Sequence, residues 1–490
     1  MHINKTVNPL GNKKDHYDAV IIGAGIGGLV CGCYLAKAGM KVLILEKNIK
    51  PGGYCTSFKI DGFVFDMLSL QSCGKNDEFG KIIYELGIDR DVTIKRMDLS
   101  IAIIAPDYKI KIFSEAEKTI DNLSSIFPEH AKEIGKFFYF IENVSWYKLC
   151  NEGRKISFRD FLMNFFKKNN GLMSMFELLM SQIGVPISEL SVISAVTYIR
   201  NLILSGGYYV ENGVQNLADA FALKFKKLGG ELMCAACADG IEIKGGQVEG
   251  VKYSRGKFVS SKYVISNCDA SNTFLKLIDT NLAGEMLTKK IKNMKVSNSA
   301  FMMLCLLKKE CLVDDCQQFW CCLNSYDDYR DMKRLTNSNF LGHIYCNRYA
   351  HQNINQPLYD GISIGTYVPY IDTSYWSDGQ RKSLEKKLLD RIETIIPCFR
   401  KNILKKIVLT PTFFEKFTGN KEGALRGFAP YCDQIGEEII SIKTKFRNLF
   451  LSSHWVVMPF GESGLPMTAF VGKSAAKIIF KRFAQNEGKR

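Results

Sequence analysis

Gly23, Gly25 and Gly28 stand at the offsets of G-x-G-x-x-G, and Glu46 follows the first of them by 23 residues. That set can hold a dinucleotide. The first glycine allows a tight turn, the second lets backbone approach a pyrophosphate, and the third permits close helix–strand packing. A carboxylate at the later position accepts hydrogen bonds from a ribose diol and disfavours a 2′-phosphate. In a chain with 40 glycines the motif alone says little, so its weight depends on the elements around it.

Those elements have the required order. Asp18 to Ile22 (DAVII) reads as a short buried parallel strand running straight into Gly23-Ala24-Gly25-Ile26-Gly27-Gly28. Leu29 to Ala38 has helix-forming composition, and Gly39 is placed to end that helix. Lys41 to Leu45 (KVLIL) is a second apolar strand closed by Glu46. The helix start offers free N–H groups and a positive dipole end to phosphates. This is a Rossmann-type βαβ unit. No second such unit follows, nor a C-x(4)-C redox pair after the first helix. A single dinucleotide site that also performs chemistry is best filled by FAD, whose flavin both binds and accepts a hydride.

Beyond Glu46 the chain continues Lys47-Asn-Ile-Lys-Pro-Gly52-Gly53-Tyr54, then a strand-like Gly62-Phe-Val-Phe-Asp66. Here the sequence resembles the FAD-dependent phytoene desaturase family, which includes carotenoid isomerases and retinol saturases. That family carries E-K-x(4)-G-G after the second strand, with the glycine turn against the cofactor's pyrophosphate. Many relatives have Arg after the glycine pair; Tyr54 points instead to the isomerase- and saturase-like branch. Further blocks match along the chain. Gly206 to Asp219 looks like the glycine turn and helix leading back to the cofactor domain. Gly229 to Val251 reads as two strands joined at Gly245-Gly246, and in relatives the first lies beside the adenine, at Ala238 here. Tyr263 to Asp269 is similar to the strand and turn leaving that domain. Thr410 to Gly427 resembles a glycine loop facing the flavin ring.

The last block runs from Asn448 to Trp455, then through Gly461, Glu462 and Gly464-Leu465-Pro466-Met467-Thr468. An apolar strand, a glycine turn and a closing helix suit the ribityl and flavin end. Ser453 and His454 stand where many members have Gly-Asp. The resemblance thus implies FAD held by Gly23, Ala24, Gly25, Gly27, Gly28, Glu46, Lys47, Gly52, Gly53, Tyr54, Ala238, Gly461 and Gly464 to Thr468. It implies an α/β fold: a Rossmann-type FAD-binding domain built from residues 15–75, 205–270 and 405–490. Residues 76–204 and 271–404 would form an inserted α+β substrate domain. The reaction would be desaturation, saturation or isomerisation at carbon–carbon double bonds of an apolar isoprenoid or polyene, such as a carotenoid or retinoid. Two rivals share the scaffold: flavin amine or porphyrinogen oxidases, and Rab GDP-dissociation inhibitors, which bind prenyl lipid without flavin chemistry. Glu46 and the intact glycine turn favour an enzyme over a chaperone.

Composition narrows the partners. Of 65 basic residues 49 are Lys and 16 Arg, against 50 acidic, for a net charge of +15. Arg supplies the bidentate forks that read phosphates and bases, so its scarcity argues against nucleic acid. No apolar run reaches the roughly 18 residues of a spanning helix. Residues 1–17 hold no apolar signal core, and the 16 cysteines read as reduced thiols of a cytoplasmic protein. Neither the Cys234–Cys237 pair nor the Cys311, Cys316, Cys321, Cys322 group has metal-site spacing. Phe and Met gather between Phe137 and Met180, with Phe158, Phe161, Leu162 and Phe165 on one helical face. They read as the core of a helical substrate domain, or as an apolar tunnel or membrane-contact face for a long lipid. Arg154, Lys155, Arg159, Lys167 and Lys168 form a basic rim suited to peripheral docking on the inner face of a membrane. The final stripe Lys473, Lys477, Lys481 reads as a solvated helix face. His454 falls in the last cofactor block and reads as structural. No catalytic residue and no metal ligand is assigned, and the electron acceptor is left open.

Overall fold

The apolar strands of the first βαβ unit form the centre of a seven-stranded sheet. In the computed structural model the described residues are 16–105, 107–167, 169–308, 318–321, 344–348, 359–435, 440–456 and 464–487. Strand β1 (His16–Ile22) lies between β2 (Val42–Leu45) and the strand Lys257–Ser266, parallel to both. Glu231–Met233 extends the sheet beyond β2, and Leu449–Leu451 pairs with the end of Lys257–Ser266. All four β2 residues are buried, as a parallel strand covered on both faces requires. Helix α1 (Ile26–Lys37) carries Gly27, Gly28 and Gly32, which let its backbone approach its neighbours closely. A Cβ on Gly472 of the helix Leu465–Glu487 would come within 2.3 Å of the Gly27 carbonyl oxygen.

One expectation is corrected here. The stretch Gly229 to Val251 forms three strands, not two: Glu231–Met233, Ala238–Lys244 and Gln247–Tyr253. The interruption has a cause. Ala235 N–H donates to the Asn48 carbonyl and Ala236 N–H to the Glu46 carbonyl, each at 2.8 Å, with Ala235 at φ +52°. These bonds draw Cys234 to Cys237 off the sheet edge and onto the residues that follow β2. The Cys-x-x-Cys pair therefore lies in a connection.

A second seven-stranded sheet runs in the order Ile403–Leu409, Ser299–Lys308, Tyr359–Val368, Ile344–Arg348, Gln318–Cys321, Leu99–Ile104, Lys109–Phe113, and is largely antiparallel. The strand Ser299–Lys308 shows the period-2 rule directly. Ala300, Met302, Leu304 and Leu306 enter a core shared with the helices of 116–199, while Phe301, Met303, Cys305 and Leu307 face the helix Asp378–Ile392. The architecture is a Rossmann-type α/β layer joined to an α+β body.

The Phe- and Met-rich region proves to be solid core. Phe137, Phe158, Phe166 and Phe176 are each at most 1% exposed. The Phe137 ring lies 5.0 Å from Phe176 and 5.4 Å from Phe166. Phe161 and Phe165 pack at its margin, partly buried. Their rings fill one another's space, so the tunnel and membrane-face readings of these side chains give way to packing.

Candidate cofactor and substrate cavity

Register determines what meets at the edge of the first sheet. Ile22 is level with Leu45 on one side and Ser266 on the other, and Ser266 with Leu451. The next residues, Gly23, Glu46, Asn267 and Ser452, therefore emerge in one row at the carboxyl ends of parallel strands, where open α/β sheets bind ligands. Gly23 turns at φ +97°, and its N–H donates to the Leu45 carbonyl at 2.7 Å. Gly25 is the N-cap of α1 and supplies no side-chain cap. The first-turn amides of α1 thus face the row with their dipole. Gly52 N–H donates to the Ala24 carbonyl at 2.9 Å, which brings the second glycine pair against the first turn.

Glu46 ties this corner together. One carboxylate oxygen accepts from Ala24 N–H and the other from Asn48 N–H, each at 2.8 Å. Burial pushes its pKa up, opposed by those two amides. Asn267 lies under the glycines: its Oδ1 is buried without a hydrogen-bond partner. A Cβ on Gly25 would stand 2.7 Å from its Nδ2. An uncapped helix start, a cradle that a side chain would fill and an unsatisfied buried acceptor fit a dinucleotide.

A cavity of about 550 Å³ opens on this row. Of the residues expected at the cofactor, Gly23, Gly25, Glu46, Lys47, Gly52, Gly53, Tyr54, Ala238, Gly464, Leu465, Pro466 and Thr468 line it. Ala24, Gly27, Gly28 and Met467 do not, and Gly461, like Glu462 beside it, lies outside the described residues. Ala24 is fully buried, and Gly27 and Gly28 are spent on packing: a Cβ on Gly27 would meet the Ser452 carbonyl oxygen at 2.0 Å. Lys47 reaches the wall, but its ammonium donates to the Lys416 carbonyl at 2.8 Å. The Tyr54 hydroxyl donates to the Ala424 carbonyl at 2.9 Å, tying the turn to the loop 419–427. Ser453 donates to the Cys268 carbonyl at 2.9 Å.

Several wall residues escaped the sequence reading as polar groups of the site: Asn267, Asp269, Asn420, Gln182 and Tyr367. Asn267 and Asp269 had a signal. They follow a parallel strand as the glycine turn follows β1. Gln182 and Tyr367 had none, since only tertiary packing brings them here. Among the described residues no group of three His, Cys, Asp or Glu side chains could hold a metal; Cys311, Cys316 and Cys322 fall outside them, as does the side chain of Cys321.

Two titratable groups on this wall oppose each other. Desolvation, helped by the Arg426 cation, pushes the His454 pKa down to about 4. Burial pushes Asp269 up to about 6, against bonds from the Lys421 and Ser271 amides. A histidine depressed in the fold favours folding above its unfolded pKa, near 6.5, and that contribution is lost as pH falls toward 4. A raised aspartate works the other way, losing its contribution as pH rises from 3.8 through 6. In His454→Gln only the first effect disappears. The stability difference, variant minus wild type, is expected to grow by about 3 kcal/mol between pH 6.5 and 4. Thermal midpoints across that range test it. A constant difference would mean that His454 titrates normally.

Residues 21–78 match the family described as NAD(P)-binding Rossmann-like domain. The chain is 24% identical over 507 aligned positions to the 4,4′-diaponeurosporene oxygenase of Staphylococcus aureus (strain MW2), covering 95% of this chain and 99% of that protein. Among solved structures, an oxidoreductase from Methanosarcina mazei superposes with a TM-score of 0.68 at 18% identity, covering 93% and 99% of the two chains. A wild-type putrescine oxidase bound to putrescine gives 0.64 at 14%, covering 95% and 99%. Length-wide sequence similarity, the shared fold and the dinucleotide cradle converge on an FAD-dependent oxidoreductase.

Proposed function

We propose that this enzyme acts on the conjugated system of an apolar polyene or isoprenoid of the carotenoid kind, with FAD as its redox group. The observation that carries the reading is one cavity whose wall includes both the glycine turn with Glu46 and the apolar side chains Met67, Leu68 and Leu425. A dinucleotide that must meet an apolar substrate needs such shared space. The similarity to a diaponeurosporene oxygenase along nearly both full lengths supports a carotenoid-like substrate. That protein's name adds oxygenation to desaturation, saturation and isomerisation.

In this reading Gly23, Gly25 and the start of α1 take the pyrophosphate, with Ala24, Gly27 and Gly28 shaping the turn beneath it. Glu46 receives the ribose, and Ala238 lies at the adenine. Lys47 holds Glu46's strand end to the Lys416 carbonyl, while Gly52, Gly53 and Tyr54 close the turn. The segment from Gly464 to Thr468 completes the flavin end. When bound, the flavin supplies the centre that accepts or returns a hydride. The chain's own part is to orient the polyene and exclude water. His454, neutral at neutral pH, adds no charge there.

Membrane docking belongs to the same proposal. Lys155, Arg159 and Lys167 are exposed, whereas Arg154 is drawn to the Ile435 carbonyl at 3.2 Å and Lys168 lies outside the described residues. Tyr139 and Tyr147, 70% and 81% exposed, stand on the neighbouring helices Ala131–Asn143 and Trp146–Glu152. Exposed aromatics beside bases suit an anionic lipid surface. Lys473, by contrast, pairs with Glu85 at 2.8 Å, while Lys477 and Lys481 are exposed. No helix among the described residues is long and apolar enough to cross a membrane.

One anaerobic experiment addresses both parts. FAD-loaded protein is mixed with a carotenoid in detergent, in anionic vesicles or in neutral vesicles, while flavin absorbance and product mass are followed. A carotenoid product is expected in detergent, from a single turnover of oxidised or chemically reduced flavin or once air is admitted. It is expected to form faster from anionic than from neutral vesicles at low salt. Flavin reduced by amines but untouched by any polyene would overturn the substrate reading. Equal rates from both vesicles would overturn docking alone.

A further inference from the structure

The cavity wall carries a compact polar group that a pure hydrocarbon has no use for. Arg426, Gln182, Tyr367 and Gln71 reach it from four separate parts of the chain. Arg426 is held in place from several sides. Its Nε donates to the Gln182 carbonyl at 3.0 Å, its backbone N–H donates to Ser297 Oγ at 2.9 Å, and its guanidinium lies 5.9 Å from the centre of the Tyr198 ring. Tyr198, itself fully buried, shares its hydroxyl with the Gln71 amide at 3.4 Å. The Arg426 charge is felt by both Tyr367 and His454, which also line the cavity. Leu425, next to Arg426, lines the same wall together with Met67 and Leu68. An apolar cavity with a few convergent polar groups fixes which end of a ligand enters, and a guanidinium selects acceptor oxygens, carboxylates best of all.

We propose that Arg426, with Gln182 and Tyr367, receives an oxygenated terminus of the polyene, a carboxylate or an aldehyde carbonyl, and so determines which end of the substrate is held. This rests on the polyene reading and deepens it. Arg426 is a specificity residue, and no bond is made or broken at it. The substrate class becomes an end-oxidised polyene. A reaction that oxidises a terminal carbon of a hydrocarbon polyene must then supply it.

The test uses FAD-loaded protein and three probes of matched length: a polyene acid, the corresponding aldehyde and the hydrocarbon. Binding is read from perturbation of the oxidised flavin spectrum. In the wild type the acid and the aldehyde are expected to bind at least about tenfold tighter than the hydrocarbon, acid first. In Arg426→Met that preference falls to within about twofold, and Arg426→Lys keeps part of the preference for the acid. The wild-type comparison stands without either variant, so misfolding of Arg426→Met cannot decide the matter. Equal binding of all three probes by the wild type overturns the anchor and leaves the polyene reading intact. Binding of none of them overturns that reading and the anchor with it.

Discussion

Replacing Gly25 by valine is expected to give a folded protein that purifies without flavin, whereas Gly28→Val is expected not to accumulate. The two glycines belong to one motif but meet different surroundings. Gly25 has φ −69° and ψ 170°, a conformation open to any residue. A Cβ there meets Asn267 Nδ2 at 2.7 Å, the far end of a side chain that can swing aside. The fold survives, but the added methyls occupy the surface that a pyrophosphate would touch. Affinity for FAD should fall by a factor of about 100 or more, a loss of about 3 kcal/mol. At Gly28 the Cβ would lie 2.2 Å from the Gly23 carbonyl oxygen, which is backbone fixed by the turn. Relief requires α1 to move off the sheet, and overpacking of this kind costs about 1–3 kcal/mol or more. Flavin absorbance per folded protein and circular dichroism separate the outcomes. A yellow, stoichiometrically loaded Gly25→Val protein would remove the glycine turn from the cofactor site.

The contrast also marks how far residue types and spacing reach. The β1–α1–β2 unit was legible because its signals are local: an apolar strand, a glycine turn, a helix and a closing carboxylate within about thirty residues. Asn267 belongs to the same corner but is separated from it by some 240 residues, and only the register of Lys257–Ser266 beside β1 brings it there. Lys47 and Tyr54 stand at motif positions, yet the ammonium of one and the hydroxyl of the other go to backbone carbonyls of 416 and 424. Spacing identifies a position and leaves its bond undetermined. The phenylalanines near residues 137–176 illustrate a different limit. A packed aromatic core and an apolar tunnel need the same residues at the same helical spacing, and only the ring contacts distinguish them. Cys234 to Cys237 looked strand-like by composition, but two backbone bonds to the end of β2 outweighed that weak propensity.

Glu46 carries the other large expected effect, because two functions converge on one carboxylate. Its oxygens each accept a backbone amide, from Ala24 and from Asn48, and the same group is the proposed ribose acceptor. Glutamine keeps the shape but offers one acceptor oxygen, so its NH₂ would confront one of those N–H groups. A buried donor left unsatisfied costs about 1–3 kcal/mol, and Glu46→Gln is expected to lose stability by that amount even without cofactor. That loss alone would not show that Glu46 recognises a nucleotide. The distinguishing measurement is a ratio. ADP-ribose and its 2′-phosphate compete with FAD for the same corner, and a carboxylate beside the ribose repels the phosphate while a neutral amide does not. Wild-type protein should favour the unphosphorylated probe. In Glu46→Gln that preference should shrink by about tenfold, equivalent to 1.4 kcal/mol, while overall affinity falls for both. Stability and selectivity then report on separate roles of the same side chain. If the variant is destabilised but keeps the wild-type ratio, Glu46 serves the backbone amides alone, and the ribose must be recognised by another group on the wall.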